Sequence, residues 1–469
     1  MKKILFGFAA LTLVVMGACK KEGKPEDRGL QAGVLAVCDT VVLPNVISGS
    51  MTLTNDKVYI LNGKTYVASG GILTINAGTR IEGIRKDSAK DASALVITKG
   101  GKINANGDSC NPIVFTTRIN GSNAVANPGD WGGIVILGKS IVNKVNPVIE
   151  GIDLPTLPPG IDVTYGGTDS LDNSGTIKFV RIEYAGAVVA PNKELNSLTL
   201  GGVGSQTTIH HVEAAWGADD AFEFFGGTVN ASYLVALAMN DDGLDFDYGY
   251  RGAIQFALVV RSSCCFNQTY ADANGIECDN DEFDNSGALP KTRPILSNIT
   301  IVGGQNAAIA GTLNGVRFRR SADYIMRNSV VMGYGDGTTS YGARFDAPSV
   351  KTEFKYNIIH AFGANNTNVP PLDATNVTAA TTGGVGLLAP FNCGASGTGL
   401  NFAPANAASL PIANAANFVT GWPANIIPTA NNFLNKTVTY RGAFAQANRN
   451  WLGCWSNCIG FLPPAMNCQ

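Results

Sequence analysis

A five-residue pattern returns five times in this chain: a small residue, an apolar one, a charged one, usually Phe, then mostly a charged one. The copies are Ala221-Phe222-Glu223-Phe224-Phe225, Gly243-Leu244-Asp245-Phe246-Asp247, Gly275-Ile276-Glu277-Cys278-Asp279, Gly315-Val316-Arg317-Phe318-Arg319 and Gly342-Ala343-Arg344-Phe345-Asp346. The first two lie 22 residues apart, and Asp219-Asp220 falls on Asp241-Asp242 at the same offset. A short alternating unit that recurs every 20–30 residues, roughly, stacks β-turns into a solenoid. Strands that return once per turn in one direction pair in parallel, about 4.8 Å apart. Tight corners need residues that accept positive φ, and 55 of the 469 residues are Gly. The fold expected is all-β: a right-handed parallel β-helix over 38–365 with an irregular, Cys-containing cap over 366–469.

Side chains alternate in and out along a strand. Phe222, Leu244, Ile276, Val316 and Ala343 are therefore expected inward, with Phe224, Phe246, Cys278, Phe318 and Phe345. Glu223, Asp245, Glu277, Arg317 and Arg344 should form an outward ladder. Phe225, Asp247, Asp279, Arg319 and Asp346 should form another beside it. A second column of apolar runs precedes the pentads, including Ile177–Ile182, Ile209–Val212, Tyr233–Val235, Phe256–Val259 and Ile299–Val302. Insertions interrupt the period at 147–166, 266–274 and 279–294, and on a solenoid such loops gather on one side and carry binding functions. The low-charge stretch after residue 360 is expected to cover the open end of the solenoid, where unpaired backbone would invite aggregation.

The first residues are a processing signal. Lys2-Lys3 precede an apolar run from Ile4 to Met16, too short for a membrane span of about 20 residues. Gly17-Ala18-Cys19 then resembles the lipobox of bacterial lipoproteins. The resemblance implies a signal peptide over 1–18, a lipid on Cys19 and a tether over 19–37. Of ten Cys, nine remain after lipidation, and an exported chain permits disulfides. Cys38 with Cys110 could link the first turns; Cys454, Cys458 and Cys468 cluster at the end with Cys393.

Several phrases are familiar together: GGILTINAGTRIEG, NPIVFTT, GDWGGIVILGK, IKFVRIEYAG and TVTYRGAFAQANRNWLGCW. They resemble an uncharacterised family of Bacteroidota-type surface lipoproteins with a pectin-lyase-like right-handed parallel β-helix. The resemblance spans about 58–455 and implies a fold and an outer-membrane location, with the membrane face unresolved. It implies no activity.

Net charge is −2, which argues against a nucleic-acid partner. The candidate chemistry is acidic. Asp219, Asp220, Glu223, Asp241, Asp242, Asp245 and Asp247 crowd successive turns, and stacked carboxylates repel unless a cation or Arg neutralises them. Ca²⁺ takes such oxygen ligands, although the EF-hand spacing is absent. Phe225, Tyr248 and Tyr250 beside carboxylates suggest a sugar platform, and Glu277, Asp279, Arg317 and Arg319 extend the candidate ligand surface. Trp131, Trp216, Trp451 and Trp455 read as core or cap residues. His210-His211 reads as one residue inside a strand and one outside. Polygalacturonase-type G-H-G and R-I-K motifs are missing. The leading expectation is a non-enzymatic lipoprotein that binds extracellular polysaccharide or an envelope partner. A polysaccharide lyase or hydrolase acting on acidic glycans, or a structural or adhesive surface protein, remain the alternatives.

Overall fold

Period-two alternation gives every pentad two inward positions, and the computed structural model buries both in all five copies. Phe224 stacks on Phe246 at 5.1 Å and Phe318 on Phe345 at 5.8 Å between ring centroids, while Cys278, fully buried, spaces the two pairs. The structure describes residues 39–120, 125–152, 157–190, 193–261, 273–283, 287–307, 314–336, 338–391, 400–418, 428–446 and 451–457. Cys19 and the leader and tether lie outside them, as do Cys38, Cys264, Cys265, Cys393, Cys458 and Cys468. Cys110 carries a free thiol, and the Cys38–Cys110 link expected from the sequence falls on Cys38, outside the described residues.

The pentads belong to a ten-stranded parallel sheet, here face 1, running from Val46–Ile47 through Phe222–Phe225 and Leu244–Asp247 to Ala343–Phe345. The second column forms a bent sheet whose longer strands, such as Gly175–Glu183, Thr208–Ala215, Asn230–Leu237 and Ala253–Val260, turn a corner midway. At that corner the pairing skips one residue per strand: Lys178 pairs with His210 and Val180 with Val212, leaving out Phe179 and His211. The skipped residues stand at positive φ: Phe179 at 49°, His211 at 56°, Tyr233 at 58° and Phe256 at 62°. Bulky residues adopt this region at a cost. Here it turns the rings outward into one stack, with centroids 4.4 Å apart from Phe179 to His211, 4.4 Å from His211 to Tyr233 and 5.0 Å from Tyr233 to Phe256. The corner divides the bent sheet into faces 2 and 3. The molecule is a three-sided prism, a right-handed parallel β-helix.

The C-terminal region covers the end of the solenoid only at its start, where Thr367 bridges to Ala343, Asn368 bonds the Phe345 backbone and Leu372 packs on the core. The last coil is completed by Val377–Thr378, paired with Ile358–Ala361 beyond residue 365. The following chain wraps the sides. The helix Pro428–Phe433 brings Ala430, with Leu434 just beyond, onto Ala253, Ile295 and Ile325 of face 2. Phe402, Phe444, Leu452 and Trp455 pack on Val235, Leu258, Val302 and Met332 of face 3. From Gly442, whose N–H donates to the Asn328 carbonyl (2.7 Å), the chain runs back to Asn457, whose N–H donates to Glu213 (2.8 Å). Trp451 and Trp455 lie edge-on to His211 in this strap. Both histidines face outward beneath it, because His211 occupies the corner; the sequence expectation of one inward His is corrected. No helix among the described residues is long and apolar enough to cross a membrane.

Candidate cation-binding site

Face 1 changes character along the prism axis. Its outward column reads Tyr66, Val96, Val135, Thr199, Glu223, Asp245, Glu277, Arg317 and Arg344 in register. The first three are covered by the Pro-rich insertion, whose Ile149, Ile152, Val163 and Tyr165 pack over them. The column then opens into a cavity of about 220 Å³. Its walls are Glu223, Asp245 and Glu277 from the strands and Asn196, Asp219, Asp220, Asp241 and Asp242 from the turns into them. Glu150 enters from the Pro-rich insertion and Glu194 from the short strand Lys193–Glu194, which pairs antiparallel with Val188–Ala190, and Arg319 also lines the cavity.

The turn residues have a structural task of their own. Asn196, Asp220, Asp242, Asn274 and Asn314 occupy one position, two before each strand's first inward residue. Asn196 Oδ1 accepts the Asp220 N–H (3.1 Å), and Asp220 Oδ1 accepts the Asp242 N–H (2.7 Å). Asp242 Oδ1 accepts the Asn274 N–H, and Asn314 Oδ1 accepts the Tyr341 N–H (3.0 Å). An amide oxygen performs this task at Asn196 and Asn314, and a carboxylate oxygen performs it at Asp220 and Asp242. The negative charge at 220 and 242 is therefore additional to what the turn needs.

That charge is crowded. Asp219, Asp220 and Asp241 each place a carboxylate oxygen within 4.8 Å of the others, and so do Asp220, Glu223 and Asp245. Asp245 Oδ1 is buried without a hydrogen-bond partner. Burial first, then the Asp241 and Glu194 charges, pushes the Asp219 carboxyl well above the carboxylate range. Burial likewise raises Asp220, with Asp219 and Asp241 adding to it, and Glu223, with Asp245 adding to it. Burial takes Asp245 up to about 6 against the pull of Arg319. Carboxylates held this way bind protons tightly when nothing else neutralises them; a divalent cation with oxygen preference replaces those protons. The donor set fits such an ion.

The remaining predicted residues are placed differently. Asp247 is buried beside the strand end, accepts the Tyr248 N–H (2.7 Å) and does not line the cavity. The aromatic platform is not exposed. Tyr250 is fully buried, stacks on Phe246 at 5.2 Å and donates to the Val229 carbonyl (2.7 Å). Phe225 packs between Tyr165 and Tyr248, and Tyr248 donates to Glu282 (2.5 Å) under Lys144. The period of the pentad ends at Asp247, so alternation says nothing about where Tyr248 and Tyr250 turn. Glu277 and Asp279 hold Arg319, whose Nε lies 2.9 Å from Asp279 Oδ1; Arg317 Nε reaches Asp346 at 3.0 Å. Glu150, Glu194 and Asn196 were not singled out in the sequence. The two glutamates belong to no repeat, whereas Asn196 lies two residues before a strand and could have been found from the offset of Asp220.

A family model described as a pectate-lyase-like beta helix domain matches residues 45–387. Comparison with curated proteins and with solved structures gives no match. The matched span covers most of the chain and ends ten residues beyond the start of the last face 3 strand, Val377–Thr378; by that match and by its stacked parallel strands, the chain belongs to the pectate-lyase-like β-helix domain family.

Proposed function

We propose that this protein is a lipid-anchored outer-membrane lipoprotein that binds acidic extracellular polysaccharide through Ca²⁺ held in the face 1 cavity. The observation that carries the reading is the carboxylate cluster itself, with the partnerless Asp245 oxygen inside it. A Ca²⁺ ion seated there keeps open coordination positions for sugar carboxylates and hydroxyls. Further along the same column Arg317 and Arg344 share the one Asp346 carboxylate, and two guanidiniums on one carboxylate leave positive charge there for an anionic chain. Binding is favoured over elimination chemistry because Arg319 is engaged by Glu277 and Asp279 and is not free to act as a base. The lipobox-like Gly17-Ala18-Cys19 supports an anchor at Cys19, and export would permit disulfides among the C-terminal cysteines.

A glycan array run with Ca²⁺ and with chelator tests the reading. Retention of uronate-bearing glycans only with Ca²⁺, lost in Asp242→Asn/Asp245→Asn, supports it. Release of unsaturated or reducing ends would replace binding by catalysis. No glycan retention under either condition would leave an envelope partner or an adhesive role. Palmitate-analogue labelling that persists in Cys19→Ser would remove the anchor.

A further inference from the structure

The carboxylates of the cavity form two groups and not one. Among the described residues, Asp219, Asp220 and Asp241 make one set within 4.8 Å, and Asp220, Glu223 and Asp245 make another, with Asp220 common to both. Two oxygens on opposite sides of a Ca²⁺ ion stand about 5 Å apart, so each set has the span of a single ion. The five side chains together do not fall within that span. The space is sufficient: about 220 Å³ exceeds two ions with several coordinating waters at about 30 Å³ each. The charge also calls for more than one ion, since a single divalent cation neutralises two of the lining carboxylates. The second set contains the buried Asp245 Oδ1 that lacks any hydrogen-bond partner, and Asp220 itself is only 6% exposed.

We propose that the cavity holds two divalent cations that share the Asp220 carboxylate, one completed by Asp219 and Asp241, the other by Glu223 and Asp245. The proposal rests on the reading of the cavity as a divalent-cation site and adds stoichiometry and residue assignment to it. Asp220 is the pivot. Its backbone-bonding task survives replacement by Asn, because Asn196 and Asn314 perform that task in their own coils. Its bridging charge does not.

Calorimetric titration of the chelator-treated full chain with Ca²⁺ tests this. Two ions per chain are expected for the wild type, one for Glu223→Gln and one for Asp219→Asn. Asp220→Asn should weaken both by at least about tenfold, equivalent to about 1.4 kcal/mol each, while circular dichroism stays native-like and the chelator-treated variant melts no lower than wild type. A single ion in the wild type, or full loss of both ions in Glu223→Gln with an intact fold, overturns the proposal. Glycan retention with one bound ion would overturn the pairing and keep the proposed function. Two bound ions without glycan retention would keep the pairing and remove the glycan. An absence of any bound Ca²⁺ overturns both.

Discussion

Aspartate and asparagine have nearly the same shape, and at the turns into face 1 the choice between them decides charge without altering the backbone. Two carboxylates about 5 Å apart repel by about 3 kcal/mol at an effective dielectric near 20. Removing one should therefore help the ion-free protein. Asp242→Asn/Asp245→Asn is expected to melt higher than wild type in chelator and to show no further rise in Ca²⁺. Wild type should gain about 2.7 kcal/mol at roughly one hundred times Kd, read as a shift of several degrees in differential scanning calorimetry. A wild-type curve indifferent to millimolar Ca²⁺ would count against the site. In the core, Phe246 touches Phe224 and Tyr250, and Phe246→Ala should cost about 3–5 kcal/mol in urea denaturation. The inward and outward assignment of every pentad residue was legible because alternation within a strand depends only on backbone geometry. Tyr250 was not, since it follows the strand end, where a Gly at positive φ, Gly249 at 88°, redirects the chain.

At the scale of the element, the strap is the part most dependent on pH. His210 and His211 face Lys178, Phe179, Tyr233, Trp451 and Trp455. Burial lowers His210 to about 4 and His211 to about 3, with the Lys178 charge acting in the same direction. A depressed histidine contributes stability that is complete above its ordinary value of 6.5 and is lost as pH falls through the folded value. Glu213, under Asn457 and beside Arg181 and Glu183, has the opposite sense. Burial raises it to about 7 from 4.5, so its contribution is complete below 4.5 and is lost as pH rises through about 7. The two effects offset each other between those limits, and below pH 4.5 only the histidines act. Protection factors over 451–457, which correct for the intrinsic pH dependence of amide exchange, should therefore fall between pH 4.5 and 3, and His210→Gln/His211→Gln should flatten that dependence. Protection factors unchanged in the wild type would show that the strap is held independently of the histidines. The strap had a sequence signal that the alternating pattern obscured. Tyr233–Leu237, Phe256–Val260 and Ile299–Val302 are nearly continuous apolar runs, and such runs mark strands covered on both sides.

For the whole molecule, the family match and the stacked sheets agree with the solenoid read from five pentads, because a repeat states its own architecture. The long-range wrapping of 428–457 was not legible, since nothing in a non-repeating segment records which coils it will lie against. That wrapping changes how the molecule should come apart. A bare solenoid holds each coil only by its neighbours, so it frays from an open end one rung at a time. Here Gly442 is tied to the coil of Asn328 while Asn457 is tied to the coils of Glu213 and Glu183, where its Nδ2 donates to Glu183 (2.7 Å). Trp455→Ala with Asn457→Ala is expected to split a single urea transition into two, monitored by circular dichroism; one unbroken transition in that variant would locate the cooperativity elsewhere. The distal rungs cannot peel away while that tie holds, so a load applied along the axis is shared across the spanned coils and does not concentrate on the last one.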